Sequence, residues 1–330
     1  MRDSSCSKRL CLVVGLVFTL CIFLGGFCSA QTKSDYPKKN INLVCMWPPG
    51  GGADTAARIF TKYLGQILGE KIIVQNIPGG GGSAGYFSAK GMKNDGYNLV
   101  LIQGNLPEYK YKGLAGLNID DFDVLGSFAF QSPIVVAKSE SPWKTAKDLV
   151  EDAKRSPGKY KVAINTIGDA CMHQPLVLWM EAAKFHVSTI AHEVSTQQTA
   201  ALVGGHVDAM VSWVKPNIPY VKEGKLKFLG YISPRRLSDY PDVPTLIDLG
   251  YDVAYEHPYG IGGPKGLPEE VKKIISDATK KIWDIPEFSE ELNKLGLTVF
   301  KLDGPSYRSH LFNMQKNMEK ALAIITGQKK

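Results

Sequence analysis

Two glycine-rich segments stand on either side of one amphipathic stretch near the start of the chain, and they restrict its fold more than any other feature. Pro48-Pro49-Gly50-Gly51-Gly52-Ala53-Asp54 precedes the stretch, and Asn76-Ile77-Pro78-Gly79-Gly80-Gly81-Gly82-Ser83-Ala84-Gly85 follows one short strand after it. Glycine has no Cβ, so such segments turn through positive φ and let backbone approach a ligand closely. Each also stands where a helix is about to begin. Unpaired N–H groups and the positive end of a helix dipole favour an anion at that point. The pattern predicts an anion grip made of backbone, suited to a carboxylate. A phosphate cradle is the near competitor, but neither run continues into Gly-Lys-Ser/Thr. Gly80, Gly82 and Gly85 match a dinucleotide fingerprint only inside a run too glycine-rich to be selective.

Around these runs the hydrophobic pattern alternates. Residues Ile41 to Met46 read as a strand. Ala56, Ile59, Phe60, Tyr63, Leu64, Ile67 and Leu68 follow helical spacing, and Gly69 suits the stop. Lys71 to Val74 is the next strand, the second glycine run leads into a helix through about Met92, and Asp95-Gly96 turns into a strand over Tyr97 to Ile102. Strand, helix, strand, helix, strand predicts a parallel sheet with helical crossovers. The middle of the chain repeats the theme, with strands at Ile134 to Ala137, Lys161 to Ile164, Ser188 to His192, Asp208 to Ser212 and Lys227 to Tyr231, and a helix from about Thr145 to Arg155. The last third reads as helical. Val271, Ile274, Ile275, Ala278 and Ile282 share one face, and Pro305 opens a helix whose apolar face holds Leu311, Met314, Met318 and Leu322. Two α/β units predict two lobes. Ligands of open α/β sheets lie beyond the carboxyl ends of the strands, where both glycine runs fall.

The N-terminus reads differently from the rest. Arg2, Lys8 and Arg9 precede Leu10 to Leu24, apolar apart from Thr19, and Cys28-Ser29-Ala30 offers small residues for cleavage. This predicts a secretory signal peptide over 1–30, cut after Ala30, and a periplasmic protein; a retained membrane anchor is the alternative reading. Four of the six cysteines fall in that leader, which leaves Cys45 and Cys171 and no disulfide framework. Two free thiols are expected. The net charge of +7 is scattered along the chain. No basic, aromatic-interleaved stripe points to nucleic acid, whereas mild positive charge helps attract anionic solutes.

A set of ordered motifs goes further. Trp47 to Asp54 with Arg58 in register is one. Asn76-x-Pro78-Gly79-x-Gly81-Gly82-x-x-Gly85 and Asp95-Gly96-Tyr97-x-Leu99 follow it. Later come Pro157-Gly158-Lys159, His173, Gly204-Gly205-x-Val207-Asp208, Gly224-Lys225-Leu226, Pro241-Asp242-Val243-Pro244-Thr245 and Gly260-x-x-Gly263-Pro264-x-Gly266-x-Pro268. In this order and spacing they resemble the receptors of tripartite tricarboxylate transporters, also called Bug receptors, from Tyr36 to about Tyr307. The resemblance implies an α/β type II periplasmic-binding-protein fold, two lobes joined by two crossing strands with a ligand cleft between. On that reading 31–131 begins the first lobe, 132–252 forms the second, and 253–330 returns to the first. The resemblance also implies a ligand carboxylate held by main-chain N–H groups and waters of the glycine loops, and cognate membrane transporter subunits as partner. A monomer without cofactor or metal is expected.

The chain departs from that family in the second lobe. The family commonly reads Gly-x-Gly-Ser-x-x-His where this chain has Ile167-Gly168-Asp169-Ala170-Cys171-Met172-His173. Tyr-Lys-Gly becomes His192-Glu193-Val194, and a tryptophan two before Gly260 becomes Pro258. A ligand with a donor or cationic group opposite Asp169 or Glu193, or one lacking a second carboxylate, suits these changes; acids that face solvent are the other reading.

The candidate ligand-binding residues are Trp47, Pro49, Gly50, Gly51, Gly52 and Ala53 in the first loop, and Gly79, Gly80, Gly81 and Gly82 in the second. Gln103 and Asn105 end a strand with amides that can donate. Thr166, Ala170, Cys171, His173, Ser195, Thr196 and Trp213 are the second-lobe candidates. Asp54 is expected at the helix start, completing the loop instead of touching an anion. Trp47 can stack on a ligand or pack beneath the loop. Cys171 and His173 are two apart and do not face each other on a helix, and no third orienting group accompanies them. Neither His-Glu-x-x-His nor Cys-x-x-Cys occurs, so metal chemistry has no motif. The expected function is a non-enzymatic extracytoplasmic solute receptor that captures a small organic carboxylate. A solute-sensing module for a signalling partner and an α/β enzyme acting on a carboxylated substrate are the alternatives.

Overall fold

The computed structural model describes residues 35–114, 116–192 and 195–327. The expected leader and its cleavage point, like Glu193 and Val194 of the altered second-lobe segment, lie outside the described residues.

In chain order the elements are β1 (Ile41–Cys45), α1 (Gly52–Leu68), β2 (Ile72–Asn76), α2 (Ser83–Lys90), β3 (Asn98–Gln103), β4 (Phe122–Gln131) and β5 (Ile134–Lys138). Then follow α3 (Ala146–Arg155), β6 (Lys161–Ile164), α4 (His173–Ala183), β7 (Ser188–Ala191), α5 (Ser195–Val203), β8 (Ala209–Ser212), α6 (Ile218–Lys222) and β9 (Leu226–Tyr231). The chain closes with β10 (His257–Pro264), α7 (Glu269–Ile282), α8 (Pro286–Asn293), β11 (Thr298–Val299) and α9 (Gly304–Ile325).

Among the described residues the strands form two sheets, ordered β11-β4-β10-β3-β1-β2 and β7-β6-β8-β5-β9. β1 pairs in parallel with β2 and β3, as the strand–helix alternation predicts, with Leu43 opposite Val74 on one side and Leu99 on the other. β6 likewise lies parallel to β7 and β8. The remaining pairs are antiparallel: β10 with β3 and β4, β11 with β4, and β5 with β8 and β9. The expected α/β two-lobed architecture is present, one sheet to each lobe.

The crossings are where the sheets meet. β4 ends at Gln131, and only Ser132 and Pro133 separate it from β5 in the other sheet. The return path lies alongside: Ile232 N donates to Pro133 O (2.9 Å), Tyr255 N donates to Ile232 O (3.1 Å), and His257 stands opposite Gln131. Both crossings therefore bend at one place, as a hinge between lobes requires.

Each sheet is covered on both faces, so its strands are apolar nearly throughout. In the second lobe Val162, Ile164, Leu176 and Trp179 pack on one side, and Ala163, Met210, Ala201 and Leu202 on the other. In the first lobe Phe60 of α1 stacks on Phe128 of β4 with ring centroids 4.2 Å apart. α1 stops at Gly69 in the left-handed conformation (φ 77°), with its N–H bonded to Gly65 O. Asp303 caps α9 by accepting from Ser306 N (3.0 Å), with Pro305 in the first turn. Tyr307 of that helix is fully buried and donates to Ile102 O (2.7 Å). No helix among the described residues is long and apolar enough to cross a membrane.

Candidate functional site

The carboxyl ends of the parallel strands in both sheets deliver their loops to one cavity of about 430 Å³. Trp47, Gly52, Ala53, Gln103, Asn105 and Glu108 line it from the first lobe, and Asn165, Asp169, Cys171, Trp213 and Lys215 from the second. Gln131, His257 and Tyr259 of the crossing strands form its floor, with Leu295 and Leu297 completing the wall. A larger surface groove of about 760 Å³ runs between α1 and β2 and holds none of the expected site residues.

Asp54 organises the first loop. Its Oδ2 accepts from Gly50 N (2.9 Å) and Arg58 Nε (2.9 Å), and its Oδ1 accepts from Asn76 Nδ2 (2.8 Å). Asn76, which opens the second glycine run, also donates to Trp47 O (2.8 Å), so one buried carboxylate knots both runs together. Burial alone would push the Asp54 carboxyl up; the bonds from Arg58, Asn76 and Gly50 outweigh this and hold it below the usual carboxylate range. The first backbone bond of α1 runs from Thr55 N to Gly51 O (2.9 Å). The N–H groups of Gly52 and Ala53 precede it, at the positive end of the helix and on the cavity wall. Trp47 lines the same wall, and its indole donates to Gln103 Oε1 (2.5 Å).

The second run forms a frame behind the wall. Gly79, Gly80, Gly81 and Gly82 all have positive φ, a sequence of turns that side chains would resist. Gly81 O accepts from Tyr109 OH (2.7 Å), Asn105 Nδ2 donates to that hydroxyl (2.7 Å), and Asn105 Oδ1 accepts from Tyr86 OH (3.3 Å). A Cβ on Gly82 would stand 2.7 Å from the Tyr109 hydroxyl. The run thus positions Asn105, which lines the cavity, while its own glycines are not among the lining residues.

Of the expected candidates, Trp47, Gly52, Ala53, Gln103, Asn105, Cys171 and Trp213 meet at the cavity. Pro49, Gly50 and Gly51 lie in the adjoining loop. Ala170 is buried and donates its N–H to Glu108 Oε2 (3.3 Å). Thr166 is exposed, and its N–H donates to Asp169 Oδ2 (3.2 Å). His173 turns away to accept from Gly168 N at Nδ1 (2.8 Å); burial lowers its pKa, partly countered by Asp169. Ser195 and Thr196 open α5 outside the lining set.

Asp169 lines the cavity half-buried instead of pointing to solvent, and its Oδ1 accepts from Cys171 N and Met172 N, both at 2.7 Å. Its charge is spent on the start of α4. Glu108 is the acid that the sequence did not flag. It is buried, paired with Lys112 Nζ (2.7 Å), and raised in pKa by burial against the lowering effect of Lys112. Cys171 does face a histidine, but it is His257, with Sγ 3.5 Å from Nδ1. Burial, with help from Asp169 and Glu108, pushes the thiol well above its ordinary range. Burial also holds His257 down to about 3. A protonated thiol beside a neutral imidazole is the reverse of an activated nucleophile. Cys45 is a second free thiol, buried beneath the first loop. The described residues contain no group of three or more His, Cys, Asp or Glu able to hold a metal.

Gln131, His257 and Tyr259 escape sequence reasoning because their strands carry no alternation. Asn165, directly after β6, falls under the same strand-end rule as Gln103 at the end of β3.

Comparison with known proteins agrees with this architecture. The tripartite tricarboxylate transporter family receptor profile matches residues 56–328. The chain is 31% identical over 309 residues to a Cupriavidus necator protein described as "UPF0065 protein in gbd 5'region", covering 90% of this chain and 91% of that one. A solved TctC solute-binding protein from Polaromonas superposes with a TM-score of 0.78 at 23% identity, over 87% of this chain and 99% of that one. An R. palustris protein solved with adipate superposes with a TM-score of 0.74 at 17% identity, over 88% and 98%.

Proposed function

Because the chain belongs to the tripartite tricarboxylate transporter receptor family, we propose that it is an extracytoplasmic receptor that captures a small organic carboxylate between its lobes and passes it to membrane transporter subunits. The observation that carries this reading is the start of α1 at the cavity wall, with the Gly52 and Ala53 N–H groups ahead of the first helical bond. Such a terminus holds an anion without a counter-charge. The cavity's acids, Glu108 and Asp169, are already bonded, to Lys112 and Ala170 and to the backbone N–H groups of Cys171 and Met172 respectively. The carboxylate therefore sits on the first-lobe side, under Trp47 and Gln103. Main-chain donors fixed by Asp54 lose little freedom on binding, which suits affinity from a small contact. The cavity volume falls within the ordinary range for small-molecule sites, and the R. palustris neighbour was solved with a dicarboxylate. The leader over 1–30, cut after Ala30, would place the receptor in the periplasm.

A thermal-shift panel of mono-, di- and tricarboxylates, each beside its fully amidated analogue, tests this. Binding to the folded state raises the melting temperature by mass action. A rise with an acid and none with its amide is expected. Equal rises for acid and neutral analogue, or none across the panel, would sink the reading. Gly51→Val and Gly81→Val should abolish the rise, the latter because its φ of 64° resists a β-branched residue.

A further inference from the structure

Two tryptophans occupy matching places in the two lobes. Trp47 stands two residues beyond β1 and Trp213 one residue beyond β8, each at the carboxyl end of its strand, and both line the ligand cavity. Both are half-buried, so each keeps accessible ring surface on the cavity wall. Both are also held in place. The Trp47 indole donates to Gln103 Oε1 (2.5 Å), and its backbone O accepts from Asn76 Nδ2 (2.8 Å). Trp213 packs against the core of the second lobe, and its backbone O accepts from Nδ2 of the fully buried Asn217 (2.8 Å). The cavity floor continues the aromatic surface: the His257 ring lies 5.7 Å from that of Trp213 at 55°, and 5.5 Å from that of Tyr259 at 80°. Rings fixed in advance lose little freedom when a ligand arrives.

The same cavity is poor in positive charge. Lys215 is the only lysine or arginine among its lining residues, and it is exposed, whereas Glu108 and Asp169 both line the wall. A second carboxylate would meet two acids and one solvated ammonium. Burial keeps the His257 imidazole neutral, so the floor adds no cation. Much of the polar lining is engaged within the protein: Gln131 Nε2 donates to Tyr259 OH (2.7 Å), Asn105 bonds Tyr109 and Tyr86, and Gln103 Oε1 serves Trp47. Gln103 Nε2 is left to donate to a carboxylate on the first-lobe side, while Gln131 Oε1 and the Asn165 amide leave single polar contacts elsewhere on the wall.

We infer that the two indoles form an aromatic slot across the cleft and that the ligand is an arenecarboxylate, its one carboxylate on the Gly52 and Ala53 N–H groups and its flat ring between Trp47 and Trp213. Aromatic rings attract one another in offset-stacked or edge-to-face arrangements, beyond what buried area alone supplies. One slab comes from each lobe, so closure of the cleft sets the gap, and a flat body fills it where a puckered ring or an open chain does not. The inference rests on the receptor reading above, in which the carboxylate occupies the first lobe, and adds the chemistry of the rest of the ligand.

Isothermal titration calorimetry on the purified protein tests ring and carboxylate separately. The probes are benzoate and phenylacetate, each compared with its saturated counterpart (cyclohexanecarboxylate or cyclohexylacetate) and with its own neutral amide, and both compared with succinate and adipate. At least one arene acid is expected to bind about tenfold tighter than its saturated counterpart, the scale of one or two aromatic contacts. It should also bind more tightly than either diacid. Trp213→Leu, checked for an intact melting transition, should bring the arene-to-saturated ratio close to unity with a much smaller effect on the saturated acid. Trp213→Phe keeps a smaller ring and should lower the ratio only in part; it carries the comparison if Trp213→Leu does not fold. Saturated acids that bind as tightly as the arenes, a tighter diacid, or Trp213 variants that leave the ratio unchanged would overturn the aromatic slot and leave the receptor reading standing. Amides that bind as tightly as their acids would overturn the anion grip, and the arenecarboxylate with it. No heat with any of the acids would overturn both.

Discussion

Glu108 and Ala170 join the lobes across the cavity: Glu108 Oε2 accepts from the Ala170 N–H at 3.3 Å, while Glu108 Oε1 stays paired with Lys112 of its own lobe. Both residues are buried. The bond exists only when the lobes are together, so it biases the equilibrium toward closure. Glu108→Ala leaves the Ala170 N–H without its acceptor, at a cost of about 1–3 kcal/mol. That cost falls on the closed form, and ligand affinity should drop about tenfold. Glu108→Gln keeps an acceptor and should do less harm. Small-angle scattering of the alanine variant without ligand should show a larger radius of gyration. Unchanged affinity and radius would deny the contact this role.

Asp54 is the corresponding fixed point of the first loop. Three side-chain and backbone donors converge on it, from Gly50, Arg58 and Asn76. Asp54→Ala strands these donors and should destabilise the fold by about 3 kcal/mol, the scale for breaking a buried charged network. Its folded pKa lies below the ordinary value. The stability it supplies is therefore present above the unfolded carboxyl pKa and is lost as pH falls through the folded one. Urea denaturation at pH 7 and pH 3 should show a large difference between wild type and Asp54→Ala at pH 7 and a smaller one at pH 3. An equal difference at both would assign the loss to packing instead.

The parallel half of each lobe is legible in the sequence because strand and amphipathic helix alternate there, and β6, for example, spans the residues that the pattern marks. The crossing strands are not. β4 reads FDVLGSFAFQ and β10 reads HPYGIGGP, both buried along nearly their whole length, so neither shows a period of two. The glycines of β10 mark close approaches instead of turns: a Cβ on Gly262 would meet Asp123 O at 2.7 Å. The site divides the same way. Trp47, Gly52 and Gln103 are found because they lie in a glycine loop or end a strand. Glu108, Gln131 and His257 arrive through tertiary structure alone. Sequence reasoning weighs Cys171 only against the histidine two residues on and sets that pair aside, whereas the fold supplies a histidine 86 residues away.

Gly260 offers a sharp test of that close packing. A Cβ there would lie 2.5 Å from Gly126 O and run into the ring of Tyr307. One obstacle is backbone and the other is a fully buried ring held by Ile102 O, so neither yields cheaply. Gly260→Ala should cost about 3 kcal/mol. Gly52→Ala is the control: open space surrounds its Cβ position and its φ is ordinary, so stability should change by no more than about 1 kcal/mol. Because Gly52 lines the cavity, its alanine variant should still bind ligand more weakly. Calorimetric melting and titration of the two variants separate a folding glycine from a binding one. Equal loss of stability in both would show that the distinction fails.

Two buried histidines, His173 and His257, and the half-buried His310 set the response to mild acid. Burial lowers the pKa of His173, His257 and His310, with Asp169 and Glu256 partly opposing it at the first and last. An unfolded histidine takes its proton near pH 6.5. Between that pH and the lower folded value, the unfolded chain binds protons that the native one refuses, so stability falls as pH falls. For His257 the window extends down to about 3. Glu108 acts in the opposite direction, since burial raises its carboxyl and acid then relieves a buried charge. One group opposes three, so the histidines prevail between pH 6.5 and the carboxyl range. Urea midpoints should be flat from pH 7.5 to 7 and then decline, with a slope of at most about 1.4 kcal/mol per pH unit for each histidine. His257→Gln should flatten part of that decline, provided its pH 7.5 stability is taken as its own baseline. A variant slope equal to wild type would mean that His257 takes up its proton in the folded chain as it does in the unfolded one, and a steeper variant slope would return the Cys171–His257 pair to consideration as an ion pair.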